Sequence, residues 1–199
     1  VNPAAPLPAD EALRLVRLHG LGLLEGPDEP MLDAFVASAA AVTGYPVAAL
    51  SLVDAQRVVF RSRQGFVATE CPRSIAFCGH TILGAGVHEV PDAAADPRYA
   101  DAPMLQALPP LRAYAGVAVR LDGAPVGALC VMDTNPRHLA PHDREALLAL
   151  ARGVDCWLAQ RQRAVDTGLL TDEALRRPAR PVEVSCNGHG GFHLALRMH

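Results

Sequence analysis

Two apolar stretches, LRAYAGVAVRL (111–121) and PVGALCVMD (125–133), stand on either side of Asp122-Gly123-Ala124. An Asp-Gly step between two such runs is a strong hairpin signal, because both turn residues tolerate the positive φ that a tight connection needs. A chain with a hairpin here must build the rest of its fold around a sheet. Strand alternation then sorts the side chains. Arg112, Tyr114 and Gly116 share one face, and Ala113, Ala115, Val117, Val119 and Leu121 share the other. The second set is purely apolar and belongs against helices. The first set then faces loops, where a pocket would lie.

The remaining elements fit that sheet. A first helix is expected over 9–18, capped by Asp10, with Leu13 and Val16 on one side. A second begins near Pro30, with Leu32, Phe35, Val36, Ala39 and Val42 at helical spacing, and ends at Gly44. Residues 46–55 read as a buried strand and 57–63 as its hairpin partner. A loop and short helix (65–83), a brief strand (87–90) and a proline-rich irregular segment (96–110) follow. A final helix over 141–165 carries Leu147, Leu150, Ala151, Val154 and Leu158 as one stripe, with Trp157 beside it. The expected class is α+β: one antiparallel sheet with helices packed on one face and a loop-lined pocket on the other. Residues 1–166 make this domain, and 167–199 form a weakly structured appendage.

Composition narrows the function. Net charge is −3 and the pI is 6.2, which gives no electrostatic footprint for nucleic acid or an anionic membrane. No apolar run approaches the ~20 residues that span a bilayer, and the first residues lack a secretory pattern. Five irregularly spaced cysteines do not make a disulfide scaffold, so a cytoplasmic protein with reduced thiols is expected.

The chemistry concentrates in TECPRSIAFCGHTIL (69–83), which places Cys71, Cys78 and His80 within ten residues. Three readings stand open: a redox pair, part of a metal site, or the lining of a ligand pocket. Free amides at a helix start and a nearby imidazole favour a Cys78 thiolate, whereas Phe77 and Ile82 favour a small buried hydrophobe. The C-x6-C-x-H spacing is not a common zinc pattern, and Cys186, His189, His193 and His199 in the tail are only weak ligand candidates. No metal site is expected, and the sequence names no cofactor. Arg112 beside Tyr114 suits a carboxylate or phosphate, or else pairs with Asp92, Asp96 or Asp133 to hold the loops shut.

Several strings in this order resemble the GAF domain, the ligand-sensing module of bacterial signalling proteins, over roughly 13–158. They include LHGLGLLEGPDEPMLDAF, LSLVDAQRVVFRSRQGF, ECPRSIAFCGHTIL, VPDAAADPRYADAP, LRAYAGVAV and GALCVMDTNPR. The likeness is to GAF domains that precede histidine kinases or diguanylate cyclases. It implies a sensory domain that binds an unidentified small molecule, performs no catalysis, and signals to a partner in trans. The expected ligand-binding set is Phe60, Phe77, Cys78, His80, Asp92, Arg112, Tyr114 and Asp133. A homodimer through the first and last helices is expected, because their apolar stripes are broad. Free methionine-(R)-sulfoxide reductase, a stand-alone GAF enzyme, offers a thiol-enzyme alternative, but the loop from 98 to 112, matching the one that carries its nucleophile, has no cysteine. A dimerisation module without ligand is the third possibility.

Overall fold

The computed structural model describes residues 4–100, 105 and 110–170. The part of the 167–199 appendage beyond Leu170, including the tail ligand candidates, lies outside the described residues. Helices α1 (Glu11–Gly20) and α2 (Pro30–Thr43) precede strands β1 (Val47–Val53), β2 (Arg57–Gln64) and β3 (Glu70–Pro72). A 3-10 turn (Arg73–Ile75), helix α3 (Phe77–Thr81), strands β4 (Val87–Val90), β5 (Ala113–Leu121) and β6 (Ala124–Asp133), and helix α4 (Pro141–Asp166) follow. The six strands form one sheet in the order β3-β2-β1-β6-β5-β4, with antiparallel pairing throughout.

The central hairpin forms as expected, with one adjustment. Asp122 and Gly123 both take positive φ (47° and 82°), and Leu121 pairs directly with Ala124. The turn is therefore two residues long, and Ala124 belongs to β6. A register shift between Val119 and Arg120 leaves the Arg120 amide free, and Asp155 of α4 accepts from it at 2.6 Å.

Both sheet faces are buried. Ala113, Ala115, Val117, Val119 and Leu121 join Leu50, Leu52, Leu129 and Val131 against α1, α2 and α4. The opposite face, carrying Ala49, Phe60, Tyr114, Ala128, Cys130 and Met132, is covered by Phe77, Cys78 and Ile82 and by the loop around Ala93 and Tyr99. The layer under α3 is as apolar as the helix layer.

α1 differs from the sequence reading. Asp10 makes no side-chain cap, and Leu13 and Val16 turn outward, 50% and 68% exposed. The buried face carries Arg14 and Leu18 instead. Arg14 is fully enclosed because its guanidinium is used up: Nη1 donates to Val53 O (2.5 Å), and Nε and Nη2 both donate to Glu11 (2.7 Å each). Glu11 also accepts from Arg73 Nη1 at 2.5 Å, which ties α1 to the turn that leads into α3. Arg14, then Arg73, hold the Glu11 carboxyl down at about 2 against the opposing effect of burial.

α2 ends at Gly44 in the left-handed conformation (φ 65°). α4 packs on both β5 and α2, which explains its broad stripe: Leu147, Ala151, Val154 and Leu158 are buried, with Leu150 and Trp157 partly so. A Cβ on Gly153 would lie 2.7 Å from the Phe35 ring, so this glycine is where the two helices touch. The outward face of α4, with Ala149, Arg152, Cys156, Gln160 and Arg163, is mostly polar.

Candidate functional site

The TECPRSIAFCGHTIL segment, read from sequence as loop and helix, also contains β3. This strand pairs with β2 through Val58↔Cys71 and was too short, and too close to Pro72, to stand out. Its work is to lead the chain across the sheet so that α3 lies on β1, β5 and β6. The floor there is made of small residues: Ala49 and Ser51 on β1, Gly116 on β5, Ala128 and Cys130 on β6. The Tyr114 ring lies along β5 over Gly116, where a Cβ would sit 2.3 Å from its hydroxyl. Gly116 thus decides where the Tyr114 hydroxyl points.

That hydroxyl lies 2.6 Å from Thr81 Oγ1 and donates to Cys78 Sγ at 3.8 Å. Thr81 Oγ1 also lies 3.0 Å from His88 Nδ1, and His88 Nε2 lies 3.1 Å from the Tyr99 hydroxyl. The result is one continuous polar chain, Tyr99–His88–Thr81–Tyr114–Cys78, inside an apolar layer. Burial first, then Arg98 and His80, bring the His88 imidazole down to about 4, so it is neutral near pH 7. The Thr81 hydroxyl has one proton and three polar neighbours, the Phe77 carbonyl at 3.1 Å among them. Neutral His88 donates from one ring nitrogen and accepts at the other, so it links the Thr81 and Tyr99 hydroxyls.

Rings close the site. Phe77 stacks on Tyr114 (4.9 Å) and meets Tyr99 edge-on (4.7 Å); His80 sits edge-on to Tyr99 at 5.4 Å. Beside the Cys78 sulfur, the Cys130 thiol donates to the Ala49 carbonyl at 3.5 Å and the Ser51 hydroxyl to the Ala128 carbonyl at 3.1 Å. The groups around Cys78 pull its thiol below the ordinary range, against burial, while the Cys130 thiol and the Tyr114 hydroxyl are pushed up. Burial raises Cys71 to about 12.

Of the residues expected from sequence, Phe77, Cys78, His80 and Tyr114 come together. Phe60 shares their layer but pairs with Phe66 (5.0 Å). Arg112 faces the loop side, and its fork is closed on Asp92 at 2.8 and 2.7 Å, so of the two roles read for it the loop clamp is the one formed. Asp133 is elsewhere: it pairs across the sheet with Ala113, on the helix face, and holds Asn135 and Arg137. Alternation along β6 separates Asp133 from Cys130 and Met132, which face α3. Among the described residues no three His, Cys, Asp or Glu side chains cluster as metal ligands, and no helix is long and apolar enough to cross a membrane.

A six-stranded antiparallel sheet with α3 laid over one face invites comparison with known domains, and residues 29–154 match the GAF domain. The chain belongs to the GAF family. This GAF domain is 40% identical over 149 residues to the cyclic di-GMP phosphodiesterase PA2567 of Pseudomonas aeruginosa, covering 74% of this chain. It spans about a quarter (25%) of that relative's length. Similar folds include the chromophore-binding domain of the bacteriophytochrome RpBphP3 from R. palustris (TM-score 0.58, 13% identity, 80% of this chain and 65% of that one). The free methionine-R-sulfoxide reductase of Neisseria meningitidis, solved with its substrate, superposes at TM-score 0.54 (22% identity, 83% and 98%). The GAF domain of an Acinetobacter phosphoenolpyruvate-protein phosphotransferase does so at 0.53 (17% identity, 79% and 98%). At these identities the solved structures speak to fold alone.

Within the GAF frame, His88, Thr81, Tyr99, Ser51 and Cys130 are the site residues that sequence reasoning missed. His88 and Cys130 were within reach of the same alternation that found Tyr114: His88 pairs with Gly116, and so does Cys130.

Proposed function

We propose that this GAF domain is the sensory, non-catalytic part of a cytoplasmic bacterial signalling system, holding a small molecule on the α3 face of its sheet. The observation that carries this reading is the polar chain from Tyr99 to Cys78, set in an apolar layer and ringed by Phe77, Tyr99 and Tyr114. A few convergent polar groups among aromatic walls are the usual make-up of a small-molecule site. Displacing α3 by a ligand would pull on Arg73, and through Glu11 on α1. Occupancy would then reach a partner through the terminal helices, in a homodimer whose contact is the outward Leu13 and Val16 of α1. The similarity to part of a cyclic di-GMP phosphodiesterase supports a place in the control of such signalling enzymes, in the same chain or in trans.

Native mass spectrometry of the freshly purified protein tests the reading. A mass excess lost on denaturation, and reduced in Tyr114→Phe, is expected. A bare 21.0 kDa chain, with no thermal shift across a panel of nucleotides and metabolites, overturns it. So does thiol-dependent turnover of free methionine sulfoxide, which would move the domain to the reductase class.

A further inference from the structure

Two of the cysteines meet inside the layer under α3. Cys78 comes from α3 and Cys130 from the middle of β6, next to the centre of the sheet; both are almost wholly buried. A cysteine that serves only as a small hydrophobe needs no polar company. Cys78 has it, since the Tyr114 hydroxyl donates to its sulfur at 3.8 Å. The Cys130 thiol donates to the Ala49 carbonyl, 3.5 Å away. The Tyr114 hydroxyl that reaches Cys78 lies over Gly116, the direct cross-strand partner of Cys130, so the two cysteines flank one ring within one buried cluster, and the groups around Cys78 favour its ionised form over that of Cys130.

We propose that Cys78 and Cys130 are a redox-modifiable pair, which peroxides oxidise to a disulfide fastening α3 to β6. The Cys78 thiolate attacks one peroxide oxygen, the O–O bond breaks, and Cys78 becomes a sulfenic acid while the leaving alkoxide or hydroxide takes up a proton. The Cys130 sulfur then attacks Cys78 sulfur. The S–S bond forms, the S–O bond breaks, and water leaves with the Cys130 proton. Two thiols lose two electrons, the peroxide gains them, and a dithiol reductant reverses the change. Access comes through α3 itself. It is a five-residue helix joined to the sheet by the packing of Phe77, Cys78 and Ile82 and by the Thr81–Tyr114 contact, and so short an element opens at lower free energy than the strands beneath it. Reaction is consequently slow compared with an exposed thiolate. The proposal is independent of the ligand reading, since it needs only the two sulfurs and a small oxidant.

The test uses the full chain with Cys156→Ser and Cys186→Ser, which removes thiols that could link separate molecules. After exposure to hydrogen peroxide, free thiols are blocked with N-ethylmaleimide in denaturant, and the unreduced digest is mapped by mass spectrometry. A linked Cys78–Cys130 peptide is expected, absent before oxidation, reversed by dithiothreitol, and accompanied by a free Cys71. In Cys130→Ala the link is lost, and dimedone traps the sulfenic acid on Cys78. Should that variant fail to fold, the map of the parent chain decides alone. Cys78 and Cys130 both still labelled after a dose that fully oxidises Cys156 in the unsubstituted protein would overturn the proposal. A Cys71–Cys78 link in place of Cys78–Cys130 would overturn it equally.

Discussion

His88 sits between two hydroxyls where burial, the Arg98 guanidinium and His80 all oppose its protonation, bringing it from 6.5 down to about 4. The folded protein therefore binds fewer protons than the unfolded chain between those values. Stability contributed by neutral His88 is fully present above pH 6.5 and is lost as the pH falls toward 4, by at most about 3 kcal/mol. Urea melts at a series of pH values should show this slope in the parent protein, and a flattened one in His88→Gln. An unchanged slope would mean that folding leaves the protonation of His88 unshifted. Glu11 acts in a lower window, since its folded value of about 2 lies below the ordinary 4.5. At this scale the sequence was legible where alternation could be applied, as for Arg112 and Tyr114. It was not legible for Arg14, which looks like the solvent side of an amphipathic helix. Its partners, the Val53 and Pro125 carbonyls, stand at strand ends far along the chain, and no local pattern announces them.

At the scale of elements, the α2–α4 crossing turns on Gly153. Replacing it by Ala brings two opposed effects. Helix propensity improves by about 1 kcal/mol, while a Cβ 2.7 Å from the Phe35 ring forces the helices apart at a cost of about 1–3 kcal/mol. The clash should win, so Gly153→Ala is expected to lose about 1 kcal/mol. In a Phe35→Ala background the contact is gone and the same substitution should stabilise. A double-mutant cycle by denaturant unfolding reads both signs at once. The helix stripes, the two long hairpins and the stop at Gly44 were all readable, because each is local and periodic. β3 was not, since three residues ending in proline carry no period, and neither was the face α1 presents to the sheet, since a buried arginine reverses the usual pattern.

The whole molecule exposes Leu13 and Val16 one helical turn apart on α1, with Gly20 a further turn on. α4 spends its apolar stripe on α2 and β5 and turns a polar face outward, so of these two helices α1 is the one with apolar surface left for a second copy. Light scattering at micromolar concentration should give twice the 21.0 kDa chain mass, and Val16→Arg should return the monomer. A monomer for the parent protein would remove the terminal-helix route for the signal. The sheet order has a separate consequence for how the chain comes to be folded. β1/β2 and β5/β6 are local hairpins that can close as soon as they are made, but the ladder joining them pairs Val47 with Met132 and Leu52 with Gly127. The most central contacts are thus among the most distant in sequence, the kind of pairing that slows folding. On a ribosome, β1 must wait with one edge unpaired until β6 has left the exit tunnel. Only then can α4, made after β6, close over the finished sheet.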